Sequence, residues 1–287
     1  MSQLNIKIIG VGEGGAAAVN KMIAASIGGG NVEFISVGAD ENIMLTSSTR
    51  KNLFLNRDAA DLQKNFSAAL SGAKLIFIVG GLGSTAARVA FPLIIDCAKN
   101  LAATTVALVC RPFVLENYLR KTNAEFNIKN LRGKVDTLFD LPAEKFFLFR
   151  LKQTEVSLAE LFDVADEIFC HGVKIFLDVL TDETSLPLCR WGDAAFGYGT
   201  GKTALDAVKA AAKFPTFAAD DIARAAGIFV SITAGKNLKL KAVEAANDFI
   251  RRKMKDDAEF FAREDVDAAL AEKIFASIIL TRTTDAG

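Results

Sequence analysis

Long apolar runs alternate with helix-patterned stretches through the first half of the chain. NIKIIGV reads as a buried strand, followed by Gly12, Gly14 and Gly15 and an alanine-rich helix through Ala25. VEFISVGAD reads as a second strand, and a polar helix follows from about Ala59 to Leu70. AKLIFIV is the next strand; it leads into a glycine-containing loop and a helix that reaches about Leu101. TTVALVC, ending at Arg111 and Pro112, and KVDTLFDLP complete the strands of this half. Such runs are apolar along their whole length rather than alternating. Interleaved with helices, they predict a parallel sheet covered on both faces.

The second half changes character. From Glu155 to Leu180, apolar residues recur at helical spacing: Leu158, Leu161, Phe162, Ala165, Ile168, Phe169, Val173, Phe176 and Leu177. That is about seven turns, against the usual three or four. An apolar arc this wide predicts burial between two layers or domains. After a short link containing Pro187 come a strand near Ala194 to Tyr198 and a helix from Thr203 to Lys213. GIFVSITAG, a helix from about Leu240 to Met254, and EKIFASIILT follow. The pattern predicts an α/β fold. It has a Rossmann-like parallel-sheet domain over 1–152, a central helix over 153–182 and a smaller α+β domain over 183–287.

Composition narrows the function classes. With 34 acidic and 34 basic residues the formal charge is zero, so nothing points to a nucleic-acid surface. The most apolar stretch, Leu75 to Cys110, is interrupted by Arg88, Asp96 and Lys99, which argues against a transmembrane segment. MSQLNIKIIG passes straight into a strand, so no cleaved leader is expected. Cys97, Cys110, Cys170 and Cys189 lack metal-type spacing and are expected as reduced thiols of a cytoplasmic protein. His171 is the only histidine, which leaves little scope for histidine-based catalysis.

Two glycine-rich stretches carry candidate chemistry. GVGEGG places Gly10, Gly12 and Gly15 in a G-x-G-x-x-G pattern between a strand and a helix. There, bare backbone and a helix N-terminus suit a phosphate. An acid about 20 residues further on, at the tip of the second strand, completes a dinucleotide fingerprint, and Asp40 is the candidate. GYGTGKT, Gly197 to Thr203, imitates a P-loop, but the glycine required five positions before the Gly-Lys pair is replaced by Phe196. It therefore reads as a strand-to-helix turn, with Lys202 and Thr203 opening the helix.

These segments resemble, in order and spacing across nearly the whole chain, the FtsZ and tubulin superfamily. IKIIGVGEGGAAAVNKMI is similar to the first phosphate loop, and VEFISVGAD to the second strand and loop. GGLGSTAARVAFPLIIDCAKNLAATTVALVCRPF is similar to the signature segment and the next strand, SLAELFDVADEIF to the core helix, and GIFVSITAGKNLKL to the C-terminal domain. The resemblance implies a guanine-nucleotide site on Gly10, Gly12, Gly14, Gly15, Asp40, Gly81, Gly83, Ser84, Thr85, Arg88, Glu116, Arg120, Phe162 and Asp166. Within it Phe162 would stack on guanine, Asp166 would accept from its N1–H and N2–H, and Glu116 would hold the ribose, although Tyr118 replaces an arginine nearby. GTP or GDP, bound weakly or not at all, is the implied cofactor. The implied partners are further copies of the chain, as dimers or filaments, and a membrane-associated protein.

Departures from the family pattern bear on activity. Its signature Gly-Gly-Gly-Thr-Gly-Thr-Gly falls on Gly83, Ser84, Thr85, Ala86, Ala87, Arg88 and Val89, so only the first glycine remains. Glu13 replaces a glycine in the first loop, Ala17 replaces a base-side asparagine, and the third loop is shortened around Asn56 to Ala60. Arg88 is a candidate replacement ligand for phosphate, or else a solvated helix residue. The link after the core helix lacks the family's catalytic aspartates; Asp182 and Glu183 are the nearest acids and are expected to fall short of a neighbouring subunit. The sequence ends with SIILTRTTDAG, so the family's linker and terminal peptide are not expected. The expectation is a cytoskeletal or structural protein with GTP hydrolysis weak or lost, and no catalytic or metal-binding residues are assigned. Two alternatives stay open. One is an active GTPase with a rebuilt site. The other is an NAD(P)-dependent oxidoreductase using Gly10, Gly12, Gly15 and Asp40, for which no proton-transfer group is recognisable.

Overall fold

The computed structural model describes residues 4–40, 47–55, 58–151, 158–180, 186, 190–235 and 238–281. The chain divides into two compact units, Met1–Arg190 and Trp191–Gly287. The first contains β1 (Ile6–Val11), α1 (Gly12–Ala24), β2 (Val32–Gly38), β3 (Lys51–Phe54), α2 (Ala59–Leu70), β4 (Leu75–Gly81) and α3 (Thr85–Asn100). It continues with β5 (Thr104–Cys110), α4 (Tyr118–Leu131), β6 (Thr137–Leu141), α5 (Ala143–Leu151) and α6 (Leu158–Val179).

Its strands run in the order β3-β2-β1-β4-β5-β6, and each neighbouring pair is parallel. The order reverses between β1 and β4. In an open parallel sheet the crevice beyond the strand C-termini at such a reversal is where a ligand fits. Strand side chains alternate between two buried faces. Ile9, Val11, Ile76 and Ile78 pack with Phe66 of α2, Phe91 and Ile94 of α3 and Ile128 of α4. On the other face Phe176 of α6 sets its ring edge-on to Phe77 of β4 at 5.4 Å and to Phe139 of β6 at 6.4 Å. Burial on both faces explains why these strands are apolar throughout.

The second unit contains β7 (Gly192–Gly201), α7 (Ala204–Ala211), α8 (Asp221–Arg224), β8 (Gly227–Ala234), α9 (Leu240–Arg251), β9 (Glu259–Val266) and β10 (Ile274–Thr281). Its strands run β7-β10-β8-β9, antiparallel except for the β8–β9 pair. Ala204, Ala207, Val208 and Ala211 of α7 pack with Val230, Ile232, Val243, Ile250 and Ile278. Small residues bring α7 very close to β7. A Cβ on Gly197 would stand 2.5 Å from the Ala211 carbonyl oxygen, and one on Gly201 2.5 Å from the Ala207 nitrogen.

The α/β class and the order of the main elements match the sequence pattern, and five further elements, β3, α4, α5, α8 and β9, add to it. β3 is a four-residue edge strand, and β9 is an edge strand rich in charge; neither has an apolar run. Helix α4 buries Asn123 and Asn127 together with Ala124, Ile128 and Leu131, so two of its five buried residues are polar. Residues 155–157, at the expected start of the central helix, lie outside the described residues, as does Pro187. Among the described residues no helix is long and apolar enough to cross a membrane.

Candidate functional site

Two strand-to-helix connections flank the β1/β4 reversal, and their glycines serve different ends. Gly10 and Gly15 allow α1 to sit against the sheet: a Cβ on Gly10 would lie 2.3 Å from the Gly15 carbonyl oxygen, and one on Gly15 2.6 Å from that of Val79. Gly12 has φ +71°, a left-handed conformation that suits glycine. It also faces the second connection, where the Ser84 Oγ would be 2.5 Å from a Cβ at position 12. Gly14 and Gly81 differ from these. Neither has a positive φ, and a Cβ on either would meet nothing within 4 Å. Packing and backbone conformation thus account for Gly10, Gly12 and Gly15, but require glycine at neither Gly14 nor Gly81.

The second connection is short. β4 ends at Gly81 and α3 begins at Thr85, so only Leu82, Gly83 and Ser84 form the loop. Positions 85–89 of the glycine-poor signature are the first turn and more of a helix, with Ala87 fully buried in the core. The loop is held from α4. Asn127 donates from Nδ2 to the Leu82 carbonyl at 2.7 Å and to that of Ser84 at 3.4 Å, and Asn123 donates to the Gly83 carbonyl at 3.3 Å. Both amides are almost inaccessible to solvent, at 2% and 1% exposure for Asn123 and Asn127. Two asparagines four residues apart share one helix face. That spacing was the available signal for residues that the sequence reading does not single out.

Charged groups near the loop are already engaged. Arg88 donates from Nη1 to Asn123 Oδ1 at 3.1 Å, and its guanidinium lies 4.3 Å from the Phe126 ring centroid. It therefore joins α3 to α4, although the residue stays exposed to solvent. Glu116 uses both carboxylate oxygens: Oε1 accepts from the Phe113 N–H at 2.8 Å, and Oε2 pairs with Arg120 Nε at 2.5 Å. Arg120 also packs on the loop, its Cβ 3.1 Å from where a Gly83 side chain would begin. Asn117 caps α4 by accepting from the Arg120 N–H at 3.0 Å.

Glu116 and Asp166, distant in sequence, come into one electrostatic neighbourhood. Burial pushes the Cys110 thiol up to about 12, and the carboxylates of Asp140, Glu116 and Asp166 add to that rise. Cys110 adjoins the loop directly, because its carbonyl accepts from the Leu82 N–H at 2.9 Å. Asp166 and Glu167 also face Cys170, whose thiol burial pushes up to about 12. Cys170 lies against α1, its Sγ 3.9 Å from the Ala18 carbonyl oxygen. Asp40 follows β2 and is exposed, and Thr85 is an exposed first residue of α3. His171 on α6 is pushed down chiefly by burial, which favours its neutral form near pH 7. The Phe162 side chain, Asp182, Glu183 and Asn56 lie outside the described residues.

The GYGTGKT stretch belongs to a different structure. Gly197 to Gly201 lie inside β7, and Thr203 caps α7 by accepting from the Asp206 N–H at 3.1 Å. As its spacing predicts, this is a strand-to-helix junction and not a P-loop.

A guanine nucleotide's phosphates fit the backbone of the first site better than its charge. Gly14 and Gly81 leave open space on both connections, while Arg88 and Arg120 are partnered within the protein and Glu13 stands exposed in the first turn of α1.

Comparison with known proteins gives a consistent result. Residues 192–284 match the family model described as FtsZ family, C-terminal domain. The chain is 28% identical to the cell division protein FtsZ 2 of Rhizobium meliloti over 305 aligned positions, covering 96% of this chain and 87% of that protein. Among solved structures it superposes on an empty FtsZ dimer from M. jannaschii with a TM-score of 0.84 at 22% identity, covering 99% of this chain and 89% of that one. A GTPγS-bound protofilament of CetZ2 from Haloferax volcanii gives 0.77 at 17% identity, covering 96% and 92%. These matches do not favour the oxidoreductase alternative. The chain is thus similar to an FtsZ protein along its length in sequence and shares the fold of FtsZ and CetZ proteins, and residues 192–284 match the FtsZ C-terminal domain family.

Proposed function

We propose that this protein is an FtsZ-like cytoskeletal element that retains a guanine-nucleotide site of reduced strength and hydrolyses GTP slowly or not at all. One observation carries the reading: the two arginines beside the phosphate-side loop are committed elsewhere, Arg88 to Asn123 and Phe126 and Arg120 to Glu116. Phosphoryl transfer depends on oriented positive charge and N–H donors around the transferring group. Here positions 85–89 carry side chains where the family signature has glycines, and Glu13 adds negative charge at the first loop. Retention of a site is supported by Gly14 and Gly81, which keep both connections open although the fold does not require glycine at either.

Relatives described as an FtsZ dimer and a CetZ2 protofilament support self-association of this chain as well. A contact repeated head to tail builds an open filament. With γ-phosphate contacts weakened, association should depend little on the nucleotide's phosphate count.

Calorimetric titration with GTP and GDP, together with phosphate release followed over a range of protein concentrations, tests the proposal. The expected result is weak binding, with GTP little better than GDP, and no sustained release. Submicromolar GTP affinity with a large preference over GDP would overturn the weakened site. Sustained release that rises with protein concentration would instead establish an active GTPase with a rebuilt site.

A further inference from the structure

We infer that Asn123 and Asn127 are positioning residues for the phosphate side of the site, setting the shape of the loop before any nucleotide arrives. The inference rests on the nucleotide reading above, and goes beyond it in naming what orders the loop. The backbone of 82–84 carries three consecutive carbonyls, and all three accept from buried α4 amides: Leu82 and Ser84 from Asn127, Gly83 from Asn123. In a planar trans peptide the N–H points opposite to the C=O. Turning these carbonyls towards α4 therefore turns the N–H groups of Gly83 and Thr85 away from it. The Ser84 N–H is used within the loop, donating to the Gly81 carbonyl at 3.2 Å.

The clamp is itself braced. Asn123 Oδ1 accepts from Arg88, and Arg88 lies over Phe126, one helical turn from Asn123 and adjacent to Asn127 in sequence. Neither buried amide can exchange its bonds for water without moving α4, so the loop has little freedom to reorganise around a ligand. A glycine-rich loop takes its shape from the phosphates it wraps; this one takes its shape from a neighbouring helix. Arg88 consequently acts on the site through Asn123 and not by contact with an anion.

Substitution Asn127→Asp removes the donor at almost constant volume and sets a carboxylate against two carbonyl oxygens. Hydrogen–deuterium exchange on the nucleotide-free full-length protein reads the clamp directly. Exchange of the 82–88 amides should accelerate by about tenfold or more, because a buried acceptor losing its donor costs on the order of one such factor. Exchange in β8 and β10 should stay as it was. Calorimetry with guanosine and with GDP then separates positioning from general loosening. Asn127→Asp should weaken GDP and leave guanosine unchanged, and Asn127→Ala should do the same to a smaller degree. Unchanged exchange at 82–88 in both variants would overturn the clamp. Equal losses for guanosine and GDP would reduce it to a structural contact. If the unaltered protein binds neither ligand, the nucleotide reading falls, and the exchange measurement alone decides whether the amides order the loop.

Discussion

Glycines cluster both in β7 and around β1 and β4, and the two regions use them differently. In β7, Gly197, Gly199 and Gly201 repeat every second residue on one face of a strand, and each would drive a Cβ into α7. Their purpose is close packing, and the surrounding alanines of α7 complete it. Around β1 and β4 the glycines divide. Gly10 and Gly15 serve packing in the same way, Gly12 serves a left-handed turn, and Gly14 and Gly81 meet nothing. Glycine content alone therefore says little about phosphate binding. What each missing side chain would touch says a good deal more.

The largest effect should come from breaking the packing side of the comparison. For Gly199→Ala, whose Cβ would lie 2.5 Å from that of Ala210 and 2.6 Å from the Ala211 nitrogen, the expected loss is about 3 kcal/mol. Gly10→Ala should cost a similar amount in the first unit. Chemical denaturation of each variant measures it, and a loss below the noise at either position would refute close packing there.

A middling effect is expected at the turn. Gly12→Ala must hold alanine at φ +71° and push against Ser84, for a cost of about 1–3 kcal/mol. Ser84→Gly removes the contact but leaves the dihedral, so the double variant should recover part of the loss. Full recovery would show that the contact, and not the turn, demands glycine at position 12.

The smallest stability effect carries the most functional information. Gly14→Ala lies within α1 with open space around it, so the protein should become more stable by roughly 0.5–1 kcal/mol. If phosphates use that space, GDP affinity should fall in the same variant. Thermal melts without ligand, set beside GDP titrations, would show stability and binding moving in opposite directions. An unchanged affinity would remove Gly14 from the site.

Much of the fold was legible because buried parallel strands leave an unmistakable apolar signature. IKIIGV, LIFIVGG and TTVALVC could hardly be anything else. The edge strands β3 and β9 were not legible because none of their residues is fully buried, and α4 because asparagines interrupt its apolar face. Asn123 and Asn127 hold carbonyls that belong to residues some forty positions earlier, and no local pattern announces a partner so distant. The same applies to Arg88. Its place in the signature made a phosphate ligand or a solvated side chain the natural expectations, and only the fold brings Asn123 and Phe126 beneath it. Glu116 was identifiable as an acid near the site, but its engagement by Arg120 and the Phe113 N–H depends on how the loop before α4 turns.

The outermost strand of the second unit limits how copies of this protein can join. Among the described residues β9 has a neighbouring strand on one side only, and an exposed edge of that kind invites another chain to pair with it. Here the strand reads EFFAREDV: Arg263 and Asp265 form an ion pair at 2.8 Å, Glu259 and Glu264 are exposed, and Arg251 covers the Phe260 ring at 4.6 Å. An incoming strand would have to strip water from several charges and offer each a partner of opposite sign. These charges oppose growth by strand addition, the route by which sheet proteins drift into disordered fibres, while Phe261 and Val266 stand exposed on the same strand.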